Sequence, residues 1–169
     1  MKEIKLTIDG KEIQLTDEQL KMLGIEPEKK RKNPFERVNP DADDKYYYIR
    51  VSGDVADYHD VNDNGDRLLY EASNYFNDKS FAEQVALHQL LYRKLLKFSY
   101  DNGYEDTEEW NGGNEHWAIR YNSYRNEFRL YYQDGYKAHE VYFSSEEGAK
   151  RAIKEVVEPF MKEHPEFVW

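Results

Sequence analysis

Residues 60–71 read DVNDNGDRLLYE, with oxygen-bearing side chains at alternate positions and a glycine sixth. Asp60, Asn62, Asn64, Asp66 and Glu71 stand at the spacing from which a twelve-residue loop wraps a calcium ion. Asp60, Asn62 and Asn64 would give side-chain oxygens, Asp66 its carbonyl and Glu71 a bidentate carboxylate, with Gly65 making the sharp turn. Two features oppose that chemistry. The eighth position is Arg67, where paired calcium loops place an apolar residue, and the preceding YYIRVSGDVADYH has strand-forming residues about a glycine rather than an incoming helix. Asn-Asp-Asn-Gly is turn chemistry first, so a turn is expected here and no cofactor.

The other reactive residue types do not assemble into a known constellation. The five histidines are scattered, with no HxH or HExxH spacing. His88, between Val85 and Tyr92 on the apolar side of a helical pattern, is expected as a buried, hydrogen-bonded core residue. Carboxylates crowd YEDTEEWNGGNEH at 104–116, but neighbouring acids such as Glu105 with Asp106 point apart. The chain has no GxSxG, P-loop or GxGxxG sequence, and Gly112-Gly113 has neither a basic residue nor a helix start close behind it. No enzymatic site is recognisable.

The elements that would position these residues follow from periodicity. Ile4, Leu6 and Ile8 alternate, Asp9-Gly10 supplies a type I′ turn and Ile13 and Leu15 return, which predicts a hairpin. Thr16 and Gln19 form a capping box for a short helix that Gly24 stops. Residues 1–25 are thus a small hairpin-helix unit, and 26–44, with Lys29 to Lys32 and three prolines, a linker. A folded domain is expected over 45–169. It starts with two strands about Ser52-Gly53, and Asp78 or Ser80 then caps a long helix that Gly103 ends. On that helix Phe81, Val85, Tyr92, Leu95 and Leu96 share a face. Three antiparallel strands should follow, marked by Trp117/Ile119/Tyr121, Phe128/Leu130/Tyr132 and Val141/Phe143. A last helix begins at Ser144 or Ser145, and Pro159 should kink or end it by denying the Glu155 carbonyl its partner. The class is α+β: an N-terminal β-hairpin and short helix, then strands and an α-β-β-β-α unit with an antiparallel sheet on two helices.

Composition narrows the function. Fifteen Tyr and three Trp give a real core to a polar chain of 169 residues, and there is no Cys, which removes thiolate chemistry and fits a reducing cytoplasm. No apolar run spans a membrane, and MKEIKLTIDG lacks the core of a secretion signal. The net charge of −10 repels phosphates and disfavours direct nucleic-acid binding. Residues 1–38 are near neutral, and 39–169 carry a net −11. Tyrosine suits large contacts that tolerate water. Tyr46, Tyr47 and Tyr48, with Glu105, Asp106, Glu108, Glu109 and Trp110, are therefore the candidate partner-binding residues. Binding of a small ligand such as a signalling nucleotide would instead need an aromatic pocket with an arginine, Arg120 or Arg129. The N-terminal hairpin, barely stable alone, could self-associate.

Several stretches in order, NPFERV, NYFNDKSFAEQVALHQLLYRKLLKFSYDNG, VYFSSEEGAKRAI and PFMKEHPEFVW, give a chain that resembles small uncharacterised proteins of phages and prophages of Firmicutes. That resemblance brings no catalytic residues. It implies a setting in the bacterial cytoplasm, where small acidic phage proteins bind and block host factors, CRISPR nucleases and other immune components included.

Overall fold

The computed structural model describes residues 6–8, 11–13, 22, 33–42, 44–106 and 110–169. The chain divides into two units, Met1–Asn33 and Pro34–Trp169. In the first, β1 (Leu6–Ile8) pairs antiparallel with β2 (Lys11–Ile13), Leu6 opposite Ile13. The expected turn at Asp9-Gly10 and the Thr16/Gln19 cap lie outside the described residues.

The second unit is built from β3 (Lys45–Ile49), β4 (Val55–His59), α1 (Asn64–Glu71), α2 (Lys79–Asp101), β5 (His116–Asn122), β6 (Glu127–Gln133), α3 (Glu146–Ala152), a π-helical turn (Ile153–Val157) and α4 (Glu158–Glu163). The fold is α+β. Its folded part starts at Pro34, well before Lys45. Phe35 packs its ring 5.3 Å from Phe76 and 5.4 Å from Phe81, and the Asn77 N–H donates to the Pro34 carbonyl at 2.9 Å. An aromatic anchor therefore holds the second half of the expected linker.

β3 and β4 form the hairpin about Ser52-Gly53, where Gly53 takes φ +93°, open to glycine at little cost. The outer edge of β3 is covered, because Tyr47 and Phe76 exchange N–H···O bonds at 2.7 and 2.8 Å. The Asn74 amide also bonds both backbone groups of Ile49.

Asp78 caps α2 through the Phe81 N–H, and Gly103 follows its end at φ +84°. The buried stripe of α2 is Ala82, Ala86, Leu91, Leu95 and Ser99; of the residues expected on that face Leu95 is buried, Phe81, Val85 and Leu96 are half-buried and Tyr92 is exposed. Two alanines and a serine let neighbouring backbone approach, and the Ser99 hydroxyl donates to the Tyr142 carbonyl. The main core joins Leu91 and Leu95 to Phe143, Ala149, Ala152, Val157, Phe160 and Phe167, with Trp117, Ile119, Phe128 and Leu130 from one sheet face.

The expected third strand is reduced to one bridge. Phe143 pairs with Trp117 on β5, but the Glu140 N–H turns back to the Ala138 carbonyl at 3.0 Å and Ser145 already caps α3. Too few extended residues remain for a ladder. Pro159 neither ends nor breaks the last helical run. The chain widens to a π turn just before it, the Glu158 N–H reaching the Ile153 carbonyl, and continues as α4. This wider turn carries the helix past a residue without an N–H.

Candidate interaction surface and ligand groove

In the acidic stretch 60–71 only residues 60–63 make a turn, the Asn62 N–H bonding the Asp60 carboxylate with Asn62 at φ +57°, and the remainder, where a turn is also expected, is helix. α1 begins at Asn64, with Asp63 as N-cap accepting from the Asp66 N–H at 2.9 Å while Asp66 returns a bond to the Asp63 N–H at 3.1 Å. A rise of about 1.5 Å per residue carries Glu71 about 10 Å along the axis from Asn64. The five oxygen-bearing residues therefore do not converge, and no cluster of three His, Asp or Glu suited to a metal occurs among the described residues.

Asp60 instead receives an internal cation. Arg37 donates Nε to Oδ2 at 2.7 Å and Nη2 to Oδ1 at 2.9 Å, a fork-on-carboxylate pair. The Tyr75 hydroxyl and the Asn62 N–H add bonds at 2.8 Å each, and Asp60 is only 1% exposed. Arg37, with these further donors, holds the Asp60 carboxyl at about 2, below the usual 3.8. Asp66, equally buried, accepts from the Tyr46 hydroxyl at 2.9 Å and the Val61 N–H at 2.9 Å. Tyr46 stacks on Tyr75 with ring centres 4.1 Å apart. Burial, then these carboxylates, push both phenols well above their ordinary range, so they remain neutral donors.

This arrangement corrects one expected contact residue: Tyr46 is 2% exposed and belongs to the interior. Tyr47 and Tyr48 are half-buried. The open faces belong to other residues nearby, Tyr58 on β4, Val61, and Leu68 and Tyr70 on α1, with Leu68 57% exposed. Asp66 is the one buried residue of α1, so polar bonds rather than an apolar stripe seat this helix. Residues 34–78 carry eleven Asp or Glu against four Lys or Arg. This lobe, together with the edge of β4, thus combines exposed apolar rings with a net −7.

The loop expected to dock is partly structural. Trp110 stacks on His116 at 3.9 Å and meets Tyr142 edge-on, which makes it part of a second small core with Tyr104, Ala118 and Tyr131. Asp106 is held by Lys137 at 2.6 Å, which lowers its carboxyl, and Glu105 is exposed. Glu108 and Glu109 lie outside the described residues. His116, 1% exposed with its Nε2 unpartnered among the described residues, is a buried histidine that motif spacing does not single out. Its alternation with Ala118, opposite to the Trp117/Ile119 face, was the available signal.

A groove of about 580 Å³ opens between α2 and residues 139–143, floored by Leu91, Leu95 and Phe143. His88 lies exposed on its rim with its ring 4.8 Å from Phe167, not in the core. The rotation of α2 that buries Ala82 and Ala86 turns His88 outward. Arg120 and Arg129, paired across β5 and β6, are elsewhere and engaged. Arg120 sits 3.7 Å over the Tyr131 ring and 3.8 Å from Glu140, and Arg129 donates to Glu127 at 2.8 Å. Among the described residues no helix is long and apolar enough to cross a membrane.

No protein-family model, curated protein or solved structure matches the chain.

Proposed function

We propose that this chain is a non-enzymatic interaction protein of phage or prophage origin, acting in the bacterial cytoplasm by docking on a basic surface of a host protein. The observation that supports this reading most is the lobe of residues 34–78, where Tyr58, Val61, Leu68 and Tyr70 stand exposed in a segment of net −7. Large water-tolerant rings supply contact area, and the surrounding carboxylates supply steering and choice of partner. The edge of β4 contributes Asp57 beside Tyr58, a charge that discourages pairing with a second copy. A partner with a positive nucleic-acid channel, such as a bacterial immune nuclease, matches that field, in keeping with an anti-CRISPR or related inhibitor. Sequestering a signalling nucleotide through Arg120 or Arg129 is less well supported, since both guanidinium groups already have acidic neighbours.

Affinity capture from bacterial lysate tests the proposal, with the wild type compared with a Tyr58→Ser/Leu68→Ser double variant. Both side chains are exposed, so the variant folds. A basic host protein retained by the wild type and lost by the variant supports the reading. Equal retention by both, or no retained protein, overturns it.

A further inference from the structure

The β5–β6 hairpin leaves one backbone edge open. On β5, Trp117 exchanges N–H···O bonds with Phe143 at 3.0 and 2.7 Å, so its backbone groups face away from β6. Tyr132, its register partner, therefore faces away from β5. The alternation continues along β6: Leu130 and Phe128, opposite Ile119 and Tyr121, also turn their N–H and C=O groups outward. Among the described residues no strand pairs with this side of β6, and none of these six groups has a hydrogen-bond partner.

Such an edge is a template for a further strand unless proline, lysine or a bulge blocks it, and β6 has none of these. Its Glu127 and Arg129 cancel, which makes it a neutral strip on a chain of net charge −10. The strip is self-complementary about Leu130. An antiparallel pairing with a two-fold axis at that residue sets Phe128 opposite Tyr132 of a second copy and Leu130 opposite itself, and all six outward groups on each strand are then bonded. Phe128 already lies 5.1 Å from Tyr121 and Tyr132 5.4 Å from Trp117, so the new pair joins two aromatic rows. Between these pairs Arg129 meets Tyr131 of the second copy, the kind of contact that Arg120 makes with the Tyr131 ring at 3.7 Å. Glu127 meets the Gln133 amide. Past the strand ends the same register brings Arg125 beside Asp134, both exposed and without an ion pair among the described residues. No like charges are opposed.

We propose that β6 pairs with β6 of a second copy in this register, which makes the chain a two-fold dimer with a continuous β5-β6-β6-β5 sheet. The pairing uses no residue of the acidic lobe 34–78.

Sedimentation equilibrium of the full chain up to about 500 µM tests this, with a reversible dimer of Kd about 10–100 µM expected for so small a contact. Because each copy carries a net −10, the dimer should tighten as salt rises, opposite to docking on a basic host surface. Tyr132→Pro removes an outward N–H and no bond to β5, and Tyr132→Lys, at an exposed position, places a charge on the edge. Each should weaken the dimer about tenfold, a change of about 1.4 kcal/mol, and Tyr132→Lys should keep the circular dichroism of the wild type. The chain has no Cys, so engineered thiols report the register. Glu127→Cys and Gln133→Cys proteins, mixed and mildly oxidised, should form a mixed disulfide, whereas Glu127→Cys alone, about 20 Å from its copy, should not. The proposal is overturned if the chain stays monomeric throughout, if Tyr132→Lys dimerises as tightly as the wild type, or if the mixed disulfide forms no faster than that of either variant alone.

Discussion

Replacing Arg37 with alanine removes the guanidinium from Asp60 while leaving that carboxylate 1% exposed. The Arg37 guanidinium holds the Asp60 carboxyl at about 2 in the folded chain against 3.8 ordinarily, so at about 1.4 kcal/mol per unit its environment favours the charged form by about 2 kcal/mol. Stranding a buried charge by deleting its partner costs about 3–5 kcal/mol in general. The remaining Tyr75 and Asn62 donors bring the expected loss for Arg37→Ala to about 2–4 kcal/mol, read as a lower urea midpoint at neutral pH. Because the folded value is depressed, the contribution is complete above about pH 4 and disappears as pH falls through about 2. The gap between wild type and Arg37→Ala should therefore narrow steadily as the buffer is taken from pH 5 towards pH 2. An Arg37→Leu/Asp60→Leu double variant should lose less than the two single changes summed, since no unpaired charge remains. A loss below about 0.5 kcal/mol for Arg37→Ala, the size of an ordinary surface change, would refute the reasoning. So would a gap that stays constant from pH 5 to pH 2.

Three smaller outcomes follow from the same lobe. Ser73 closes α1 at φ +55°, with the Asn74 N–H reaching back to the Leu69 carbonyl. Ser73→Gly should raise stability by about 0.5–1 kcal/mol in a urea melt as the left-handed strain is relieved. Tyr46→Phe removes one donor from the buried Asp66 while keeping the ring stack, and should cost about 1–2 kcal/mol by the same melt, with no loss of helical circular dichroism. Calcium at millimolar concentration should produce no binding heat and no shift in midpoint, because the Asp60 and Asp66 carboxylates are bound to Arg37 and Tyr46.

The sequence was most legible where local rules act alone. Alternation marks β5 and β6, the Ser52-Gly53 turn marks the β3–β4 hairpin, and Asp78 or Ser80, Ser144 or Ser145 and Gly103 delimit their helices to within two residues, since each depends on a few neighbouring residues. What escaped was set by distant partners. The pattern Asp60–Glu71 looked like calcium or turn chemistry because nothing local discloses that Arg37, 23 residues earlier, arrives to neutralise it. α1 itself was unread, as a helix seated by a buried aspartate shows no apolar stripe on its packed side. On α2 the small residues Ala82 and Ala86, which periodicity of large side chains does not reveal, rotate the buried face and turn His88 outward. Counting aromatics does not say which face the rings of Tyr46 and Trp110 occupy; Tyr75 and His116, the rings on which they stack, decide it.

The most direct measurement of the central claim is the affinity for the captured host protein as salt is raised from about 50 to 500 mM, over which the screening length shortens severalfold. Docking by the acidic lobe predicts tight binding at low salt that weakens progressively, chiefly through slower association. Affinity that holds steady or increases across that range would contradict it.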